Sequence, residues 1–196
     1  MPAEVLNYFL KNKNRNIRLT FQVVLQCAPF LKGLKVSCMI MVDEELCQGL
    51  EEMFRGMDIS WYILSRSGGR CLILFYREAG LSTHLKSRAV RRLIREYGYT
   101  DKMELSEMLA RLSGRARDFA ERDMGFPHEI GAFLGYPAED VRGFIENQGR
   151  KFLMTGYWKV YSDPERAGII FKEFDRAKIC AVNEFLTGKS IREIAL

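Results

Sequence analysis

The sequence predicts an α+β fold, built as a small, mostly antiparallel sheet with a helical insert and a long C-terminal helix. Three observations point there. Two runs rich in β-branched and aromatic residues, 59–65 and 70–76, flank Arg66-Ser67-Gly68-Gly69, the signature of a β-hairpin. Between Gly98 and Phe152 the chain carries helical periodicity broken only at glycine and proline corners. After Ser162-Asp163-Pro164-Glu165, which offers a capping box and a proline near the first helical position, one amphipathic pattern runs to Leu186.

Taken in order, a short first helix gives way to 11–18, an asparagine-rich stretch without apolar periodicity that reads as an exposed break. Leu19, Val23, Val24 and Cys27 then recur at helical spacing, and Pro29, which cannot donate a backbone hydrogen bond, sets the expected end of that helix near Cys27. Residues 36–42 form an apolar run of strand length. Asp43 is placed to cap a helix with Leu46, Leu50, Met53 and Phe54 on its inner face, closing near Gly56. The hairpin follows, and then a helix capped by Ser82 or Thr83 that reaches Gly98. A helix from 105 to about 119 opens the second half. Pro127, Gly131, Gly135 and Pro137 cut the next stretch into short pieces, and Pro137-Ala138-Glu139-Asp140 reads as a first turn whose acids suit the helix dipole. Residues 157–161 are expected to add one more strand. With the 98–152 insert set aside, the order is β-α-β-β-α-β, the ferredoxin-like split arrangement.

At 196 residues, 47% of them hydrophobic, the chain supports one sizeable core. A single domain is therefore expected, with a sheet-bearing half at 17–100, the helical insert at 101–152, and a strand plus C-terminal helix at 153–196. No run nears the roughly 18 apolar residues of a membrane span, and no secretory pattern stands at the N-terminus, so the expected location is cytoplasmic. The five cysteines, Cys27, Cys38, Cys47, Cys71 and Cys180, are scattered and include no C-x-x-C pair; reduced thiols are expected. His84 and His128 are the only histidines, no zinc-ligand spacing arises, and no metal is expected. The net charge of +5 comes from the first hundred residues, with fifteen basic against nine acidic side chains. So small a surplus names no nucleic-acid partner.

Two blocks carry a resemblance. The longer runs Phe126-Pro127-His128-Glu129-Ile130-Gly131, Phe133-Leu134-Gly135-Tyr136-Pro137, Glu139-Asp140-Val141 and Gly143-Phe144-Ile145, followed by Gly156-Tyr157-Trp158-Lys159-Val160-Tyr161. The shorter is Cys27-Ala28-Pro29, Leu31 and Gly33-Leu34-Lys35. In content, order and distance they resemble domain-of-unknown-function family 3793, a family of anaerobic Gram-positive bacteria. The resemblance implies a fold relative and no activity or cofactor.

Each candidate site residue has a plainer role beside its functional one. His128 and Glu129 open a short helical piece, where free N–H groups favour an anion and His128 could carry a proton. The plainer role is structural, with Glu129 complementing the helix start and His128 bonding a carbonyl. Tyr136 lies in the same stretch. Cys27, at the expected helix end, meets a field that raises a thiol pKa; it is a core residue unless folding brings it to His128. Lys35 precedes a strand and could hold a phosphate or carboxylate. Alternation puts Tyr157, Lys159 and Tyr161 on one face, able to meet a planar ligand or partner, and Trp158 and Val160 on the other. Arg88, Arg91, Arg92 and Arg95 form a helical stripe opposite Val90, Leu93, Ile94 and Tyr97, either an anion surface or a solvated face.

The expected function is small-ligand or cofactor binding, or regulation, with the pocket where residues 126–137 meet the sheet. One alternative is an enzyme using His128 and Glu129 for acid–base chemistry on a redox- or iron-linked substrate. The other is nucleic-acid binding through the arginine helix. A closed apolar pocket without free titratable groups favours binding; His128 converging with a polar partner favours the enzyme.

Overall fold

Three strands, β1 (Ser37–Asp43), β2 (Ser60–Ser67) and β3 (Arg70–Tyr76), form an antiparallel sheet in the order β1-β3-β2. This is seen in a computed structural model that describes residues 3–122 and 125–195. Ser37 pairs with Tyr76 and Asp43 with Arg70 along one side of β3, while Ser60 and Ser67 meet the same two residues along the other. A bulge at Leu64 shifts the β2 register. The β2–β3 turn has Gly68 and Gly69 at φ 57° and 71°, the two left-handed positions that a two-residue hairpin turn needs.

Strand alternation sends side chains to both faces, and both faces are covered. Cys38, Ile40, Val42, Cys71, Ile73 and Phe75 meet α2 (Arg15–Leu31), α3 (Leu50–Phe54) and the C-terminal helices on one side. Leu64, Leu72, Leu74 and Tyr76 meet α4 (Glu78–Leu85), α5 (Arg88–Arg95), α6 (Leu105–Arg122), α7 (Ile130–Phe133) and α8 (Ala138–Glu146) on the other. No described helix is long and apolar enough to cross a membrane.

Several boundaries differ from expectation. Helix α1 (Ala3–Leu10) ends in a break at 11–14, and Asn14 caps α2 by accepting from the Asn16 amide at 3.0 Å. Rather than stopping near Cys27, α2 runs through Pro29 to Leu31. A proline inside a helix costs ~3 kcal/mol, but burial of Phe30 and Leu31 continues the apolar face past it, and each such large side chain contributes roughly 1.5–3 kcal/mol. The helix after Asp43 is a 3₁₀ turn (Glu44–Gly49) followed by α3, and the Asp43 side chain makes no capping bond. Ser82 and Thr83 lie inside α4; the expected single helix is two, with Ser87 at the start of α5.

The fourth strand does not join the sheet. The order β1-β3-β2 matches the first three strands of the ferredoxin-like arrangement, but β4 (Met154–Thr155) and β5 (Lys159–Val160) pair only with each other. Their hairpin packs Val160 against Ala167 and Phe171 of α9 (Pro164–Leu186), with Trp158 partly buried there. On β1, the Met41 carbonyl instead accepts from the Gln22 side chain of α2 at 2.8 Å. Asp163, not Ser162, caps α9, accepting from the Arg166 amide at 3.0 Å with Pro164 as first residue. A capping box of Ser190 and Glu193 starts α10 (Ile191–Ile194), which the sequence reading overlooked.

Candidate functional site

The cavity that the 126–137 stretch helps to build lies between α7, α8 and the β4–β5 hairpin and encloses about 350 Å³. Ile130, Gly131 and Leu134 of the α7 segment form one wall, Val141 and Phe144 of α8 a second, and Thr155, Gly156 and Trp158 of the hairpin a third. Phe126, His128, Tyr136, Asp140 and Lys159 complete the lining. The prolines and glycines that divide the sequence here allow α7 and α8 to be short and sharply joined. A Cβ on Gly131 would stand 2.9 Å from Val141, so the close approach of the two helices uses that missing side chain.

Asp140 holds the third wall in place. It is a buried carboxylate with four donors: Oδ2 accepts from Trp158 Nε1 at 2.7 Å, and Oδ1 accepts from the Tyr161 amide at 2.8 Å and from the Ser162 amide and hydroxyl at 2.9 Å each. Charge-assisted bonds of this kind are about twice as strong as neutral ones. They fix the Trp158 indole, which stacks on Tyr136 at 5.2 Å and meets Phe171 edge-on at 4.5 Å. From the sequence, Asp140 has only a dipole role, and Trp158 simply lies opposite Tyr157, Lys159 and Tyr161. The sole available signal was an aromatic-rich block downstream of an acid at the start of a helix.

His128 stands at the cavity with its ring 5.3 Å from Phe126 and 5.2 Å from Phe144. Burial lowers its pKa from the ordinary 6.5, against a smaller opposing pull from Glu129, so it is a neutral imidazole at pH 7. Glu129 does not share the site. It is 0% exposed and forms an ion pair with Arg115 of α6, the second contact being Nη2 to Oε2 at 3.3 Å. The expected acid–base pair is therefore split, because adjacent residues at the start of α7 project in different directions, Glu129 toward α6 and His128 toward α8. Phe126 is 38% exposed and packs on Phe119 at 5.1 Å, whereas Phe133 is fully buried against Tyr99.

Lys159 donates to the Gly149 carbonyl at 2.7 Å and lies over Phe144 and Phe152, 5.6 and 5.0 Å from the ring centroids. That carbonyl sits in a tight loop whose Gln148 and Lys151 both take left-handed backbone, at φ 52° and 56°, which costs of order 1 kcal/mol or more outside glycine. The expected face of Tyr157, Lys159 and Tyr161 is not formed, since β5 is two residues long and cannot sustain alternation. Tyr157 turns to α9, donating to Asp175 at 2.9 Å, with burial and that carboxylate pushing its pKa up to about 12. Tyr161 lines a separate hollow with Arg142 and Lys151.

Lys35 lies on the other side of the Tyr136–Trp158 stack, in a neighbouring cavity of about 500 Å³. Its ammonium is 5.0 Å from the Tyr136 ring centroid and 5.9 Å from that of Phe174. Burial lowers the Lys35 pKa and pushes that of Tyr136 up to about 12. Cys27 is fully buried in the core across the sheet from the cavity that His128 lines, so the two make no dyad. Its pKa is raised well above normal by burial rather than by a helix end. The cysteines are less scattered than their spacing suggests: Cys27 and Cys38 are neighbours, with Cys38 donating to the Gln26 carbonyl at 3.5 Å, and Cys47 neighbours Cys71. Among the described residues no group of three or more His, Cys, Asp or Glu could hold a metal ion.

The arginine stripe is partly neutralised. Arg91 and Arg95 both pair with Asp101, and Glu96 pairs with Arg142 at 3.0 Å. Arg88 and Arg92 stay exposed. His84, unassigned by the sequence reading, bonds the Ala132 carbonyl at 3.0 Å and so helps to hold α7. No curated protein and no solved structure matches the chain. A family model described as "Protein of unknown function (DUF3793)" matches residues 23–195.

Proposed function

The chain belongs to the DUF3793 family, which carries no assigned activity, and from the site itself we propose that it is a cytosolic protein that binds a small, largely apolar molecule between α7, α8 and the β4–β5 hairpin. The observation that carries this reading is a cavity of about 350 Å³ with an apolar wall, in which the one buried carboxylate, Asp140, already has its hydrogen bonds. Small-molecule sites have this character, with much apolar surface and few polar groups to set orientation. The expected acid–base chemistry would need a free carboxylate beside His128. Glu129 is committed to Arg115 and Asp140 to its four donors, which favours binding over catalysis.

Native mass spectrometry tests this directly on protein purified without oxygen, a condition suited to the anaerobic source that we propose for the family. A retained small molecule is expected. Independently, the neutral dye N-phenyl-1-naphthylamine should bind with enhanced emission and be displaced by that molecule. Thr155→Trp, which fills the cavity from an exposed position, should abolish dye binding while leaving the melting temperature within a few degrees. Equal dye binding by the wild type and Thr155→Trp would place the apolar site elsewhere and end this reading.

A further inference from the structure

We infer that the molecule bound in this cavity is an apolar acid carrying one carboxylate, and that Lys159 is the residue that pairs with it. The inference rests on the pocket reading above and concerns charge, which that reading leaves open. Lys159 has three N–H donors and spends one of them on the Gly149 carbonyl. Among the described residues no carboxylate lies within ion-pair distance of its ammonium, and its remaining surroundings are the Phe144 and Phe152 rings.

The other charged or titratable groups of the lining do not answer it. Asp140 makes no ion pair with Lys159; its charge is taken up by Trp158, Tyr161 and Ser162. His128, neutral at pH 7, adds no charge. The cavity thus presents an apolar wall with one uncompensated positive group. A partly desolvated cation without a counter-charge is costly, and a carboxylate arriving with an apolar body supplies that charge where water competes least. A charge-assisted N⁺–H···O⁻ bond is stronger there than in open solvent. A phosphate dianion would bring a second negative charge for which the lining holds no partner among the described residues, where Lys159 is the only lysine or arginine.

Titration calorimetry at pH 7.5 with shape-matched pairs separates the two readings: 2-naphthoate against 2-naphthamide, and octanoate against octanamide. In the wild type, the acid of at least one pair should bind at least tenfold more tightly than its amide. Lys159→Met should erase that preference while leaving amide affinity within twofold, and Lys159→Arg should keep it. Amides that bind as tightly as their acids in both pairs in the wild type, or an acid preference that survives Lys159→Met, would overturn the inference and leave the pocket reading standing. Binding of the neutral dye with no binding of either acid overturns it too. If dye, acids and amides all fail to bind, the pocket reading falls and takes this one with it.

Discussion

Asp140 shows how much of the site depends on single side chains whose partners are far along the chain. Its donors come from Trp158, Tyr161 and Ser162, 18 to 22 residues downstream, so nothing at the start of α8 distinguishes it from an ordinary first-turn acid. Asp140→Asn tests its role. The amide oxygen can still accept from the Tyr161 and Ser162 groups, but an NH₂ would face the Trp158 indole N–H, donor against donor. Leaving that buried donor unpaired should cost about 1–3 kcal/mol, read as a lower denaturant midpoint. The same variant should shift Trp158 emission and weaken binding of the neutral dye. An unchanged midpoint with unchanged emission would mean that the four hydrogen bonds do not set the hairpin's position. Glu129 illustrates the converse case: its neighbour His128 suggested a catalytic pair, while its actual partner, Arg115, lies on a separate helix.

At the scale of elements, what the sequence revealed was local and what it hid was long-range. The Gly68-Gly69 hairpin, the α6 pattern and the proline-led start of α9 follow from propensity and periodicity within a few residues. The run past Pro29 and the separate β4–β5 hairpin were hidden, because each is decided by packing against elements distant in sequence. Gly156 marks the tightest of these contacts: a Cβ there would overlap the Phe171 ring of α9. Gly156→Ala should therefore push the hairpin off α9, costing about 1–3 kcal/mol as overpacking, and should reduce dye binding because Gly156 and Trp158 both line the cavity. Phe133→Ala, in the fully buried contact with Tyr99, should cost about 3–5 kcal/mol through the void it leaves. Chemical denaturation of both variants checks the ranking: a larger loss for Gly156→Ala than for Phe133→Ala would mean that the hairpin, not the α7 corner, is the more tightly held element.

For the molecule as a whole, pH is the variable that addresses both helical segments of the site at once. The two histidines of the chain are His84, bonded to the α7 carbonyl of Ala132, and His128, in the cavity lining. Burial lowers both pKa values below the ordinary 6.5. In the unfolded chain they protonate as the pH falls through 6.5, while in the folded protein they resist until lower pH. Over that window the unfolded state binds more protons, and linkage then requires stability to fall as the pH drops. The contribution is complete above pH 6.5 and is lost progressively toward the lowered folded values. The depressed carboxylates, Asp101, Glu184 and Glu193, act lower, as the pH falls through ordinary values of 3.8 to 4.5, and should produce a separate second step. Urea denaturation of the wild type should therefore show a first decline between pH 7 and 5. The double variant His84→Gln and His128→Gln, whose first substitution keeps an N–H for the Ala132 carbonyl, should flatten that decline and leave the lower step in place. A first decline equally steep in the double variant would mean that groups other than these histidines govern acid stability.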